Sequence, residues 1–168
     1  MMHHSITPLL VISLLLCGSA RWREASAAEL SKPNIVLILA DDLGWADLPV
    51  YGNPFNEAPH LMRMAEEGMR FTDAYAANPV CSPTRGSLMT GQSSARVGIH
   101  DWITGHWRPY EKIRVPVNRT QHLPHELTTV AEALRTQGYA TAMFGKWHLG
   151  HGPDHHPTKH GFDEANVG

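Results

Sequence analysis

Apolar positions along this chain follow three different patterns. Asn34 to Ala40, "NIVLILA", is an unbroken aliphatic run of strand length, preceded by Pro33 and closed by Asp41-Asp42. A run without polar alternation suits a central parallel strand covered on both faces. Leu61, Met64, Ala65 and Gly68 recur at helical spacing, which predicts a short helix over Pro59 to Glu67. Thr129 to Gln137 carries the fullest helix signals: Thr129 and Glu132 form a capping box, Val130 and Leu134 share a face, and Gly138 terminates it. "YATAMF", Tyr139 to Phe144, then predicts another buried strand, and "MRFTDAYA", Met69 to Ala76, a further one. The middle, Gly98 to Glu126, is rich in Pro, Trp, His and Arg and is expected to be mainly loop.

Strand, helix, helix, strand in that order predicts an α/β fold with a parallel sheet. Both Asp41-Asp42 and Lys146/His148 follow strands in this scheme. They would meet at the sheet's carboxyl edge, where open α/β sheets bind ligands.

The first thirty residues are of a different kind. Ile6 to Leu16, "ITPLLVISLLL", is too short to span a bilayer comfortably, and Ala25-Ser26-Ala27 fits a cleavage site. Residues 1–27 are therefore expected to be a signal peptide, although "MMHHS" lacks Lys or Arg, and residues 28–168 the domain that follows it. Cys17 hints at a lipid anchor, but the large Leu16 before it does not fit. An exported location follows, periplasmic or secreted, or lysosomal in a eukaryote, with no stable membrane span.

Removing that leader leaves one cysteine, Cys81, which cannot form an intramolecular disulfide. The net charge of −2 and 18% charged residues give no sign of a nucleic-acid partner, while 12 histidines are unusually many for 168 residues.

Candidate chemistry gathers in three places. Asp41 and Asp42 suit a hard cation such as Ca²⁺ or Mg²⁺, provided the strand breaks there so that both can converge. The alternative is a turn cap and a solvated carboxylate. In "PVCSPTRGSLMTG", Pro83 fits the first turn of a helix ending at Gly91, which sets Cys81 just ahead of a helix N-terminus. Arg85 would add a forked donor for an oxyanion; the alternative is a buried, inert cysteine. Lys146 and His148 flank Trp147 and would face one side of an extended segment, offering a fixed cation and a titratable group. The plainer alternative is a solvated strand end with Trp147 in the core. Together the three outline a pocket for a phosphate or sulfate ester.

The sequence resembles the type I sulfatases of the alkaline-phosphatase-like superfamily. The resemblance rests on "PNIVLILADDLGWAD", "MRFTDAYAANPVCSPTRGSLMTG" and "GYATAMFGKWHLG", and extends over Lys32 to Gly168 including "KHGFDEANVG". It implies a mostly parallel sheet sandwiched by helices, incomplete at the C-terminus. It implies that a formylglycine-generating enzyme oxidises Cys81, within its Cys-x-Pro-Thr-Arg signature, to Cα-formylglycine. One hydroxyl of the hydrate would attack the sulfur of a sulfate ester, and loss of the other's proton would release sulfate by re-forming the aldehyde.

The same resemblance assigns Asp41, Asp42 and the modified Cys81 to the metal, usually Ca²⁺. Arg85 would steady the formylglycine, Lys146 contact the sulfate, and His148 serve the nucleophile hydroxyl. Phe144 departs from the smaller residue usual there. The family's further metal and sulfate ligands would lie past Gly168, so the chain is expected to be the N-terminal part of a sulfatase and inactive alone. The expected function is sulfuric ester hydrolysis (EC 3.1.6 type) on an aryl or carbohydrate substrate. A non-catalytic anion-binding remnant, or a related phosphatase or phosphodiesterase, is the alternative; the latter usually carries Ser or Thr at the nucleophile.

Three smaller features remain. "HLGHGPDHHPTKH" holds His148, His151, His155, His156 and His160, but its Gly/Pro-rich spacing fixes no metal geometry and suits a substrate-side loop better. Asn118-Arg119-Thr120 is a glycosylation sequon. Trp102, His106 and Trp107 could stack on a substrate ring or pack under their loop.

Overall fold

The structure, a computed structural model, describes residues 32–104, 112 and 117–168. The expected signal peptide, together with His106 and Trp107, lies outside these residues. The described residues up to Ile38 and those from Leu39 onward fall in two separate units. Every described helix and strand belongs to the second.

Four α-helices and one parallel strand pair make up its regular structure among the described residues, besides short 3₁₀ turns. Helix α1 runs Pro59–Glu67, α2 Cys81–Thr90, α3 Ser94–Val97 and α4 Val130–Thr136; strand β1 is Ala142–Phe144 and β2 Glu164–Asn166. The two strands pair in parallel with Met143 opposite Ala165. None of the described helices is long and apolar enough to cross a membrane.

Met89, Val97, Ile99, Ile103, Leu123, Trp147 and Leu149 form the core, with Leu127, Met143, Phe162 and Val167 packed against it. α2 is the element most deeply set in it: Ser82, Pro83, Arg85, Gly86, Ser87 and Met89 are all buried. Gly86 permits this, because a Cβ there would stand 3.3 Å from Val97 Cγ1 and 3.6 Å from Ile99 Cδ1. Gly91 ends the helix in the left-handed conformation, φ 67°, with its N–H on the Ser87 carbonyl at 2.8 Å.

α4 begins as the sequence predicts. The Thr129 N–H donates to Glu132 Oε2 at 2.7 Å and the Glu132 N–H to Thr129 Oγ1 at 3.1 Å, a reciprocal capping box. The same Thr129 hydroxyl donates to the His160 carbonyl at 2.7 Å, tying the helix start to the "HGFD" turn. Ala131 is its buried residue, and Val130 is exposed. On the strand side, Asp163 Oδ2 accepts from the Thr141 N–H at 2.9 Å and from its hydroxyl at 3.1 Å, which sets the register of β1 on β2.

Three expected strands need correction. Asn34 to Ala40 pairs with no other segment among the described residues, and Ile35, Val36 and Ile38 are 59%, 83% and 85% exposed. A strand is defined by its ladder, and this run has no ladder partner among the described residues. Met69 to Ala76 is irregular and its aromatic residues are exposed. Tyr139 to Phe144 contributes only Ala142–Phe144 as strand. Met143 packs on the core while Phe144, 67% exposed, points away, because one face alone of this two-stranded sheet is covered. The parallel α/β arrangement is thus present in part, as β1 and β2 with helices. Residues 98–104 and 117–126 carry no helix or strand, as expected of the middle loop.

Candidate active site

The site is built on the entry to α2. Val80, extended at φ −125° and ψ 148°, precedes the helix, so Cys81 is its first residue rather than standing ahead of it. Asn78 and Thr84 fix this entry. Asn78 Oδ1 accepts from the Val80 N–H at 3.1 Å, Thr84 Oγ1 accepts from the Asn78 N–H at 3.2 Å, and the Thr84 hydroxyl donates to the Asn78 carbonyl. Sequence reasoning passed over both, although an Asn shortly before a helix start is a recognisable turn signal. Half-buried Cys81 therefore stands among the unpaired N–H groups of the first turn, on the positive end of the helix.

One helical turn further, Arg85 occupies the same face of α2. It is only 7% exposed. Its fork reaches in two directions: Nη1 donates to the Lys146 carbonyl at 2.5 Å and Nη2 to Asp41 Oδ1 at 3.3 Å. Nε is buried without a hydrogen-bond partner among the described residues. Lys146, in the turn just after β1, sends Nζ to Asp41 Oδ2 at 2.5 Å and to Cys81 Sγ at 3.4 Å. The bond to Lys146, joined by that to Arg85, holds the Asp41 carboxyl below the usual carboxylate range, and Asp41 in turn raises the Lys146 ammonium above its usual value. Both groups stay charged across neutral pH.

Asp42 adopts φ 56°, a left-handed conformation rare for a residue with a side chain. The break that convergence requires lies at Asp42 itself rather than at Leu43-Gly44. As a result one ligand atom from each of Asp41, Asp42 and Cys81 falls within 4.8 Å of the others. Two carboxylates suit a hard cation and a thiol sulfur does not; an oxygen in place of that sulfur would complete an all-oxygen set.

His148 is placed differently from the expectation of one shared face. Its φ of 56° turns the chain after buried Trp147, and its Nε2 lies 2.5 Å from the Ile103 carbonyl rather than against Cys81. A carbonyl only accepts, so Nε2 carries a proton and a neutral ring has its lone pair on Nδ1. Nδ1 is buried and makes no hydrogen bond among the described residues. The link to the nucleophile position is indirect: the Ile103 N–H donates to buried Ser82 Oγ at 3.0 Å, beside Cys81. Trp102 sets its ring edge-on to His148, centroids 6.1 Å apart. Lys146, Trp147, His148, His151, His155 and His156 line part of an adjoining cleft of ≈ 580 Å³.

The sequon asparagine is occupied internally. Asn118 Oδ1 accepts from the N–H groups of His100 and Asp101 at 2.6 and 2.7 Å, and Nδ2 donates to the Asp101 carbonyl at 3.0 Å. It pins the loop leading to Ile103 and would have to leave it to carry a glycan.

The sequence profile of the family described as Sulfatase matches residues 33–166. This chain belongs to the sulfatase family. It is 49% identical over 151 residues to N-acetylgalactosamine-6-sulfatase of Sus scrofa, covering 90% of this chain and 28% of that protein. It is 46% identical over 132 residues to arylsulfatase G of Mus musculus, covering 79% of this chain and 23% of that one. Among solved structures, Ps i-CgsB in complex with k-i-k-neocarrahexaose superposes with a TM-score of 0.66 at 36% identity, over 81% of this chain and 28% of that one. The chain thus spans roughly a quarter of the length of these sulfatases. All six residues singled out, Asp41, Asp42, Cys81, Arg85, Lys146 and His148, fall inside the family match.

Proposed function

We propose that these residues form the nucleophile side of a sulfuric ester hydrolase, with Cys81 matured to Cα-formylglycine as the nucleophile. The observation that carries the reading is the convergence of Asp41, Asp42 and Cys81 within 4.8 Å, clasped by Arg85 and Lys146. In it the Cys81 sulfur stands in for the oxygens of the formylglycine hydrate.

Each side chain has a part. Lys146, 3.4 Å from the nucleophile position, offsets the charge of an incoming sulfate. Arg85 aims Lys146 through its carbonyl and keeps Asp41 ionised. Ile103 fixes the His148 tautomer, leaving the Nδ1 lone pair as an acceptor. Asp41, Asp42 and the oxygen at position 81 would hold Ca²⁺ or Mg²⁺, which when bound polarises the sulfate group.

One relative is named for N-acetylgalactosamine and one solved structure holds neocarrahexaose, which supports a sulfated carbohydrate; the name arylsulfatase G keeps an aryl ester as the second reading. Maturation needs a formylglycine-generating enzyme acting on the Cys-x-Pro-Thr-Arg segment, and the leader-like residues 1–27 support export. The test is mass spectrometry of the Cys81 peptide from protein exported by a host that matures other sulfatases. An aldehyde at position 81 is the expected result, and an unmodified thiol overturns the reading. In a chain extended to the length of its relatives, Cys81→Ser is expected to abolish sulfate release; an unchanged rate overturns the mechanism.

A further inference from the structure

Twelve histidines are more than the candidate active site uses, and four of them gather elsewhere. His122 and His155 stack with ring centroids 3.9 Å apart, His125 and His160 at 4.5 Å, and His125 and His155 at 5.5 Å. We propose that His125, His155 and His160 form a site for a borderline transition-metal ion such as Zn²⁺, distinct from the Asp41–Asp42 site.

One ring nitrogen from each of the three lies within 4.8 Å of the others. His160 is 1% exposed, and its Nε2 is buried with no hydrogen bond; Nδ1 of His155 is likewise buried and unpaired among the described residues. Two unsatisfied imidazole nitrogens in one small volume are costly, and a shared ion is what would satisfy both. Their backbones are anchored. The His160 carbonyl accepts the Thr129 hydroxyl and its N–H donates to the Pro157 carbonyl at 2.8 Å, while the His155 carbonyl accepts Trp147 Nε1–H at 2.8 Å. Such support is what orients metal-binding rings.

Three imidazoles without a carboxylate favour Zn²⁺, Co²⁺ or Ni²⁺ over Ca²⁺ or Mg²⁺. A metal lies in the plane of each ring that binds it, and the rings of His125 and His160 are parallel within 3°. Binding therefore turns one of them, and His125, exposed and without a hydrogen bond on its ring among the described residues, is the one that turns. His155 also lines the ≈ 580 Å³ cleft, which supplies a way in.

The test is titration of the full chain with Co²⁺, read by its visible absorption, followed by displacement with Zn²⁺. One ion per chain is expected, in an intense tetrahedral-type spectrum. His125→Ala, at an exposed position, is expected to weaken binding at least about tenfold. His151→Ala and His156→Ala, neighbours outside the cluster, are expected to leave it unchanged. The Asp41→Asn/Asp42→Asn double variant is also expected to retain the ion. Absence of the spectrum, indifference to His125→Ala, or loss in the double variant each overturns the proposal.

Discussion

Lys146 and Asp41, 105 residues apart in sequence, meet through a contact of 2.5 Å between Nζ and Oδ2. The pair places the end of β1 against the Asp41-Asp42 break, and Arg85 reaches both of its members from within α2. The site is thus held by charges whose partners are distant in the chain.

Arg85 is the buried member, and its fork is what serves two acceptors. Arg85→Lys keeps the charge but cannot span both, and is expected to lower stability by about 1–2 kcal/mol. Arg85→Met, which also strips Asp41 of a partner, should cost more. Chemical denaturation of the three proteins checks the order.

The charge pair also fixes a pH window. The folded-state pKa of Asp41 is lowered, so its contribution is present at neutral pH and lost as pH falls below the ordinary carboxylate value. That of Lys146 is raised, so its contribution holds below its ordinary value and is lost only as pH rises beyond it. Asp41→Asn is therefore expected to flatten the acid limb of a stability–pH profile measured by thermal melts.

His160 acts at a milder pH. Its folded-state pKa is depressed from 6.5 to about 4, so between those values the unfolded chain takes up a proton that the folded chain refuses. Stability is expected to fall as pH drops through that window, by up to roughly 3 kcal/mol. His160→Gln should remove the dependence in a metal-free melting series.

Gly161 lies at φ 91°, and a Cβ there would come within 2.5 Å of the Glu132 backbone nitrogen. Gly161→Ala is expected to cost about 2–4 kcal/mol by forcing the "HGFD" turn off the start of α4. Gly145, at φ 98° with open space around it, provides the control: its alanine variant bears conformational strain alone, about 1–2 kcal/mol. Melting temperatures of the two variants separate these causes.

Local signals in the sequence located α1, α2 and α4, while α3 was not expected. The spacing of Leu61, Met64 and Ala65 gave α1 its bounds, and Thr129 with Glu132 gave α4 its cap, because both depend on residues within one turn. The strands were less legible, since a ladder depends on partners far along the chain. Asp41, Asp42 and Cys81 lie together in the structure, with Arg85 and Lys146 both on Asp41, a grouping that no local spacing could have shown. His148 could not be placed from spacing, because its left-handed backbone redirects the ring to Ile103. The histidine cluster escaped for the same reason as the strands: His125 stands well before His160 in the chain, outside the segment whose composition drew notice.

The aliphatic run at Asn34 to Ala40 bears on how this polypeptide behaves in concentrated solution. Seven consecutive residues without charge or proline form a ready template for stacking with copies of themselves. The rate at which the chain aggregates would therefore report whether the run is sheltered.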